Sequence, residues 1–209
     1  SANFADNAVT EALWYAPIYS LPQLSEPWRM LTAMFTHSTG FVFHILFNMF
    51  ALWLFGRHLE QLLGRVWFLV LYLYAGIGGA AVGLVWGGFD PAPLLGGTGS
   101  AAGATVGASG AIFGVLAATL VAHRAANVNI TSLAVLIAIN FGIGLLPGAA
   151  ISWQAHLGGL VIGAAAMGLL LATRGPRRRT ARILSMVGLG VLLAALSALY
   201  FVISPIPLG

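Results

Sequence analysis

The sequence predicts an all-α, polytopic helical membrane protein, on three observations. Of 209 residues, 59% are hydrophobic and only 7% are charged, against roughly 25% charged in an ordinary soluble domain. The mean hydropathy is +0.94. Apolar runs near the ~20 residues that cross a bilayer recur at about 43–63, 66–87, 108–123, 130–146, 154–173 and 183–203. That makes six predicted spans.

Taken in order, residues 1–42 carry Pro17, Pro22 and Pro27 among the aromatics Trp14, Tyr15, Tyr19 and Trp28. Proline and interfacial aromatics suit an outer loop lying at the membrane surface. The first two spans follow, divided by Arg57 and Arg65. The segment 88–107, "GFDPAPLLGGTGSAAGATVG", is built largely of Gly, Ala, Ser and Thr and leads into a short helix. That pattern predicts a backbone dipping below the surface, which is tolerated only where protein or water surrounds it. Residues 43–173 then form a helical core. "RGPRRRTAR" (174–182) reads as a basic cytoplasmic loop touching anionic headgroups, and 183–209 as an extra C-terminal helix and tail.

Charge sets the topology. The chain has nine arginines and no lysine. Arg57, Arg65, Arg124, Arg174, Arg177, Arg178, Arg179 and Arg182 fall on alternate loops, whereas Arg29 lies with Asp6, Glu11, Glu26 and Asp90 on the others. The positive-inside rule places the first set in the cytoplasm and both termini outside. An outside N-terminus with no signal peptide implies an upstream membrane helix. The expected location is the inner membrane of a bacterium. The arginines lie beside apolar spans, so no nucleic-acid partner is expected. The absence of cysteine excludes disulfides, thiol catalysis and Cys-ligated metals.

Few polar side chains fall inside spans, His44, Asn48, Ser109, Asn140 and His156 among them. Ionisable residues at membrane depth mark function by default. Ser109 opens a helix in "GASGAIFG" and is followed by Gly110 and Gly114; His156, in "AHLGGLVIG", is followed by Gly159 and Gly163. Small residues on both faces let two helices approach closely, as a hydroxyl and an imidazole must to share a proton. All the carboxylates lie in loops or at a span end, so such a pair is a dyad. His44 and Asn48, four apart on one face, and the Ser109 peptide N–H are candidate donors to an oxyanion. Each element also has a plainer reading, as helix-contact glycines or hydrogen-bonding polar residues. His37, His58 and His123, near span ends, read as solvated or headgroup-facing. Tyr72, Tyr74 and Trp153 read as packing, with Phe113 as a wall of the site.

The chain resembles the rhomboid intramembrane serine proteases. The matching motifs are "WRMLTAMFTH" (28–37), "HILFN" (44–48), "GRHLEQLLG" (56–64), "GASGAIFG" (107–114) and "AHLGGLVIG" (155–163), in family order over about 135 residues. The resemblance implies a Ser109 nucleophile and a His156 general base, with His44 and Asn48 helping the Ser109 amide to hold the oxyanion. It also implies that Trp28 and Arg29 belong to the interfacial loop, and that Glu60, with Arg57, ties down the inner end of its helix. Gly107, Gly110, Gly114, Gly159 and Gly163 shape the site. Many members carry Tyr one turn after the nucleophile; Phe113 keeps the stacking and drops the hydroxyl.

The expected partners are membrane lipids and transmembrane protein substrates with helix-weakening residues near the outer surface, and neither cofactor nor metal is expected. An inactive relative that only binds transmembrane helices is the alternative, and a small-solute transporter a remoter one, lacking deep charges and inverted repeats. The metalloprotease motif HExxH is absent, and without lysine no phosphate-binding P-loop can be completed at 96–103.

Overall fold

The computed structural model describes residues 8–20, 26–37, 42–88, 107–146 and 151–203. It is helical throughout, with no β-strand among the described residues. The main elements are α1 (Val42–Leu63), α2 (Arg65–Gly88), α3 (Ser109–Ala125), α4 (Thr131–Gly144), α5 (Trp153–Ala172) and α6 (Arg179–Ile203). Four of them, α1, α2, α5 and the C-terminal helix, are long and apolar enough to cross a membrane; α3 and α4, at 17 and 14 residues, are shorter apolar helices.

Local chemistry sets the boundaries. Gly64 ends α1 at φ +79°, a left-handed conformation that glycine adopts without penalty, so α2 follows with no loop. The Asn129 side chain accepts a hydrogen bond from the Thr131 N–H at the start of α4. Ser152 caps α5, its hydroxyl accepting from the Ala155 N–H at 3.3 Å, which satisfies one of the four orphan donors of a helix start.

Packing centres on α3, where every residue from Gly110 to Thr119 is buried. It lies between α2 and α5, around fully buried Leu71, Val115 and Met167. The contacts are backbone against backbone. A Cβ added at Gly159 would stand 1.9 Å from the Gly110 carbonyl oxygen, and one at Gly163 2.3 Å from that of Gly114. On the other side of α5, a Cβ at Gly158 would come within 2.3 Å of the Gly78 carbonyl oxygen. Lipid supplies no hydrophobic drive to join helices, so dispersion from such close approach carries the association. By contrast α4 sits at the edge, with only Leu133 and Gly144 buried. α6 covers α2 through Met186, Leu189 and Leu193.

Several expectations change. The segment before α1 is partly folded, with helical turns at Ala8–Leu13, Pro17–Ser20 and Arg29–Thr32. The last helix begins at Arg179, so Arg179 and Arg182 belong to it rather than to a loop, because the turn completes at Gly175–Pro176. Leu52–Gly56 is a π-helical turn within α1, for which we find no signal in the sequence. The expected dip of 88–107 lies, apart from residues 88 and 107, outside the described residues.

Helix direction gives the bundle two unlike ends. His44, Ser109 and His156 lie in the first turns of α1, α3 and α5. At the far ends of α1 and α3, exposed His58 and half-buried His123 meet edge-on at 5.7 Å.

Gly159→Ala is expected to destabilise the protein by about 1–3 kcal/mol, as overpacking of a tight contact does. Gly168→Ala, on the same helix with nothing within 4 Å of an added Cβ, should be neutral or stabilising. Thermal unfolding of the two variants in detergent checks the difference.

Candidate active site

Ser109 is the first residue of α3, with buried Ala108 before it as the cap. Its peptide N–H belongs to the first helical turn, which has no intrahelical acceptor and carries the positive end of the dipole. Across the glycine contact, His156 lies one turn into α5, at 5% exposure. Its Nε2 is 3.0 Å from Ser109 Oγ. This is the hydrogen-bonding reach that general-base activation of a hydroxyl requires.

No carboxylate orients the imidazole among the described residues. Glu26 pairs with Arg29 and Glu60 with Arg65, while His156 Nδ1 is buried without a hydrogen-bond partner among the described residues. Packing orients the ring instead. Phe113 stacks on it with centroids 3.9 Å apart and planes 16° from parallel. Phe141 of α4 meets Phe113 edge-on at 6.4 Å, and a Cβ at Gly144 would stand 3.8 Å from Nδ1. Gly144 and Phe141 were not singled out from the sequence, since nothing local distinguishes them from other residues of an apolar helix.

Gly107, two residues before Ser109, has φ +109° and donates its N–H to the Ala33 carbonyl at 2.9 Å. A Cβ there would also meet His44 Cε1 at 2.9 Å and Nε2 at 3.0 Å, so only glycine lets the His44 ring lie against this backbone. Asn48 is buried and donates from Nδ2 to the His44 carbonyl at 2.8 Å. One of its amide hydrogens is thus spent on its own helix, leaving the second for another acceptor. A cavity of about 920 Å³ joins Ser109, His156, His44 and Asn48, and extends between α1 and α4 past Phe47 and Leu136.

His37 departs from expectation. Instead of facing solvent it packs edge-on against His44 at 5.4 Å, with Nε2 buried and without a hydrogen-bond partner among the described residues. Burial, and after it the charge of His44, pushes its pKa below the ordinary value. The turn ending at Phe35 folds it inward, a tertiary effect with no local sign.

The remaining predicted residues stand apart from this centre. Trp28 is exposed, while Arg29 is buried at the hub of the preceding segment. The Arg29 guanidinium donates to Glu26, to the Glu11 carbonyl at 2.8 Å and to the Trp14 carbonyl at 3.1 Å, and lies 4.1 Å over the Tyr19 ring. It touches none of the candidate catalytic groups, but it organises the segment whose Ala33 carbonyl holds Gly107. Glu60 lies at the far end of α1 and pairs at 3.5 Å with Arg65. With the Arg65 side chain 93% exposed, that pair contributes little.

A family model described as the rhomboid domain matches residues 24–174. The chain is 36% identical over 171 residues to rhomboid protease GluP of Bacillus subtilis (strain 168), covering 78% of this chain and 30% of that protein. It is 32% identical over 169 residues to rhomboid protease AarA of Providencia stuartii, covering 73% and 59%. With RHOMBOID-like protein 6, mitochondrial, of Arabidopsis thaliana the identity is 33% over 144 residues, covering 68% and 43%. The aligned region thus spans between 30% and 59% of these relatives. No solved structure matches the chain significantly. With the family match running from the segment around Arg29 to the turn after α5, this chain belongs to the rhomboid family.

Proposed function

We propose that the chain is an intramembrane serine protease that hydrolyses peptide bonds in or near transmembrane segments of other proteins by a Ser109–His156 dyad. The observation that carries this reading is the 3.0 Å contact between Ser109 Oγ and His156 Nε2 on two apolar helices. Relatives named as rhomboid proteases support it.

In this reading Ser109 Oγ attacks the scissile carbonyl carbon as its proton passes to His156 Nε2. The carbonyl π bond opens to an oxyanion, which accepts hydrogen bonds from the Ser109 N–H and the side chains of His44 and Asn48. Collapse of this intermediate breaks the C–N bond, and the Nε2 proton goes to the leaving amine. Water then attacks the acyl carbon, giving a proton to His156 Nε2; collapse breaks the bond from that carbon to Ser109 Oγ, which takes the Nε2 proton as the new carboxyl end leaves, so that Ser109 and neutral His156 are regenerated. Imidazolium and oxyanion form together, so a buried site without a carboxylate carries no net added charge. Phe113 holds the ring plane through both transfers.

All six helices cross the membrane in this proposal, with α3 and α4 as short spans. The arginine-rich end faces the cytoplasm and the site opens outward. Residues 1–42 form the outer interfacial segment, 43–173 the catalytic core, the turn at 174–178 with the first turn of α6 the basic cytoplasmic end, and the remainder up to 209 an additional helix and tail. Substrate reaches the cavity sideways, between α1 and the loosely packed α4. It must unwind there, because a helical peptide bond is shielded and internally hydrogen-bonded.

Labelling of the detergent-solubilised protein by a fluorophosphonate serine probe is expected, and Ser109→Ala should abolish it; labelling that persists in that variant would overturn the assignment. His156→Ala should lose both labelling and peptide cleavage while still inserting and purifying. Asn48→Ala, removing one proposed oxyanion donor, should raise the barrier by on the order of one to a few kcal/mol, read as a lower kcat with little change in KM. Acidification should lower kcat along a single protonation, since imidazolium cannot accept the Ser109 proton. A kcat that did not fall at any acidic pH at which the protein stays folded, with chemistry limiting, would rule His156 out as the base.

A further inference from the structure

At the end of the bundle away from Ser109, two arginines are fixed in place. Arg178 Nη1 donates to the Ala172 carbonyl at 2.7 Å and Arg182 Nη2 to the Thr173 carbonyl at 2.9 Å. Both guanidinium groups thus cover the last carbonyls of α5, where the helix dipole is negative. Gly175, at φ +107°, and Pro176 set the turn between α5 and α6. The Arg182 guanidinium carbon lies 5.8 Å from the Trp67 ring centroid at the start of α2. Its Nε is buried with no hydrogen-bond partner among the described residues. A cationic N–H withdrawn from water and left unpaired is costly, and no carboxylate among the described residues answers it, Glu60 being paired with Arg65.

The first turns of α6 are apolar and open on the sides turned away from α2, next to the stripe that carries Arg182. Ile183, Leu184 and Val187 are 43%, 64% and 53% exposed. Fixed cations, an indole at the boundary and an apolar face running away from both match a molecule with an anionic head and hydrocarbon tails. We infer that Arg178, Arg182 and Trp67 form a binding site for the headgroup phosphate of an anionic phospholipid, whose chains lie along α6. Arginine suits this role because its planar fork pairs with phosphate oxygens. A free inorganic phosphate would make no use of the apolar face. The site stands independently of the proposed protease activity.

The test is quenching of Trp67 fluorescence in phosphatidylcholine vesicles containing increasing brominated phosphatidylglycerol, read as the difference between the chain and its Trp67→Phe variant. Quenching is expected to saturate at a low mole fraction of the anionic lipid. Arg178→Gln with Arg182→Gln should raise the half-saturating fraction by about fivefold or more, whereas Arg177→Gln with Arg179→Gln, an equal charge change at exposed positions, should leave it within about twofold. Should the first double variant fail to fold, Arg182→Lys serves, keeping the charge but losing the fork, and is expected to weaken binding. Equal shifts in the two double variants, or an unchanged midpoint in Arg182→Lys, would reduce the site to diffuse surface charge and overturn it. So would equal quenching by brominated phosphatidylcholine. Release of the quenching by millimolar inorganic phosphate would show a free-anion site and overturn the lipid assignment.

Discussion

The backbone contact between α3 and α5 is the constraint on which the rest of the candidate site depends. A serine side chain is short, so its hydroxyl reaches an imidazole on another helix only if the two axes lie unusually close. Gly110 and Gly114 on α3 meet Gly159 and Gly163 on α5 with no side chain between them, and the 3.0 Å contact of Ser109 with His156 follows at the open end of that seam. The same economy extends to α2, where Gly78 and Gly79 meet Gly158 and the Ala155 carbonyl. Three helices are thereby locked in register around α3, and in a lipid environment this dispersion has to do what the hydrophobic effect does in water.

Orientation of the imidazole is likewise a packing matter. A carboxylate ordinarily fixes the tautomer of a catalytic histidine, whereas His156 is held by the flat face of Phe113, itself braced by Phe141. An uncharged brace suits an apolar interior, where an added carboxylate would carry a heavy desolvation cost. Polar bonding acts at one remove. Arg29 gathers the segment before α1, and the Ala33 carbonyl of that segment holds Gly107 close to His44. The charged residue therefore works on the frame of the site while the site itself is built from neutral groups.

This division repeats along the bundle. At one end stand a serine, an asparagine and histidines; at the other stand arginines that cover helix C-terminal carbonyls. Between them α3 is almost wholly buried, while α4 offers little to its neighbours. A tightly knit core with one loosely attached edge helix makes that edge the easiest part to displace, since few buried contacts resist it.

The sequence by itself determined the helical membrane class and the approximate place of all six helices, because apolar runs of span length have few other readings. It also marked Ser109 and His156, since polar groups are rare and costly in such runs, and the glycines spaced after each foretold a close contact. What tertiary structure alone decided was every relation between distant segments. His37 turned inward beside His44, Glu60 paired with Arg65, Asn48 spent one donor on the His44 carbonyl, and Gly144 came to lie beside His156 Nδ1. Spacing along a helix reports which residues share a face. Which face meets which neighbour depends on helix order, axial register and the direction of the connecting turns, none of which is written in a local pattern.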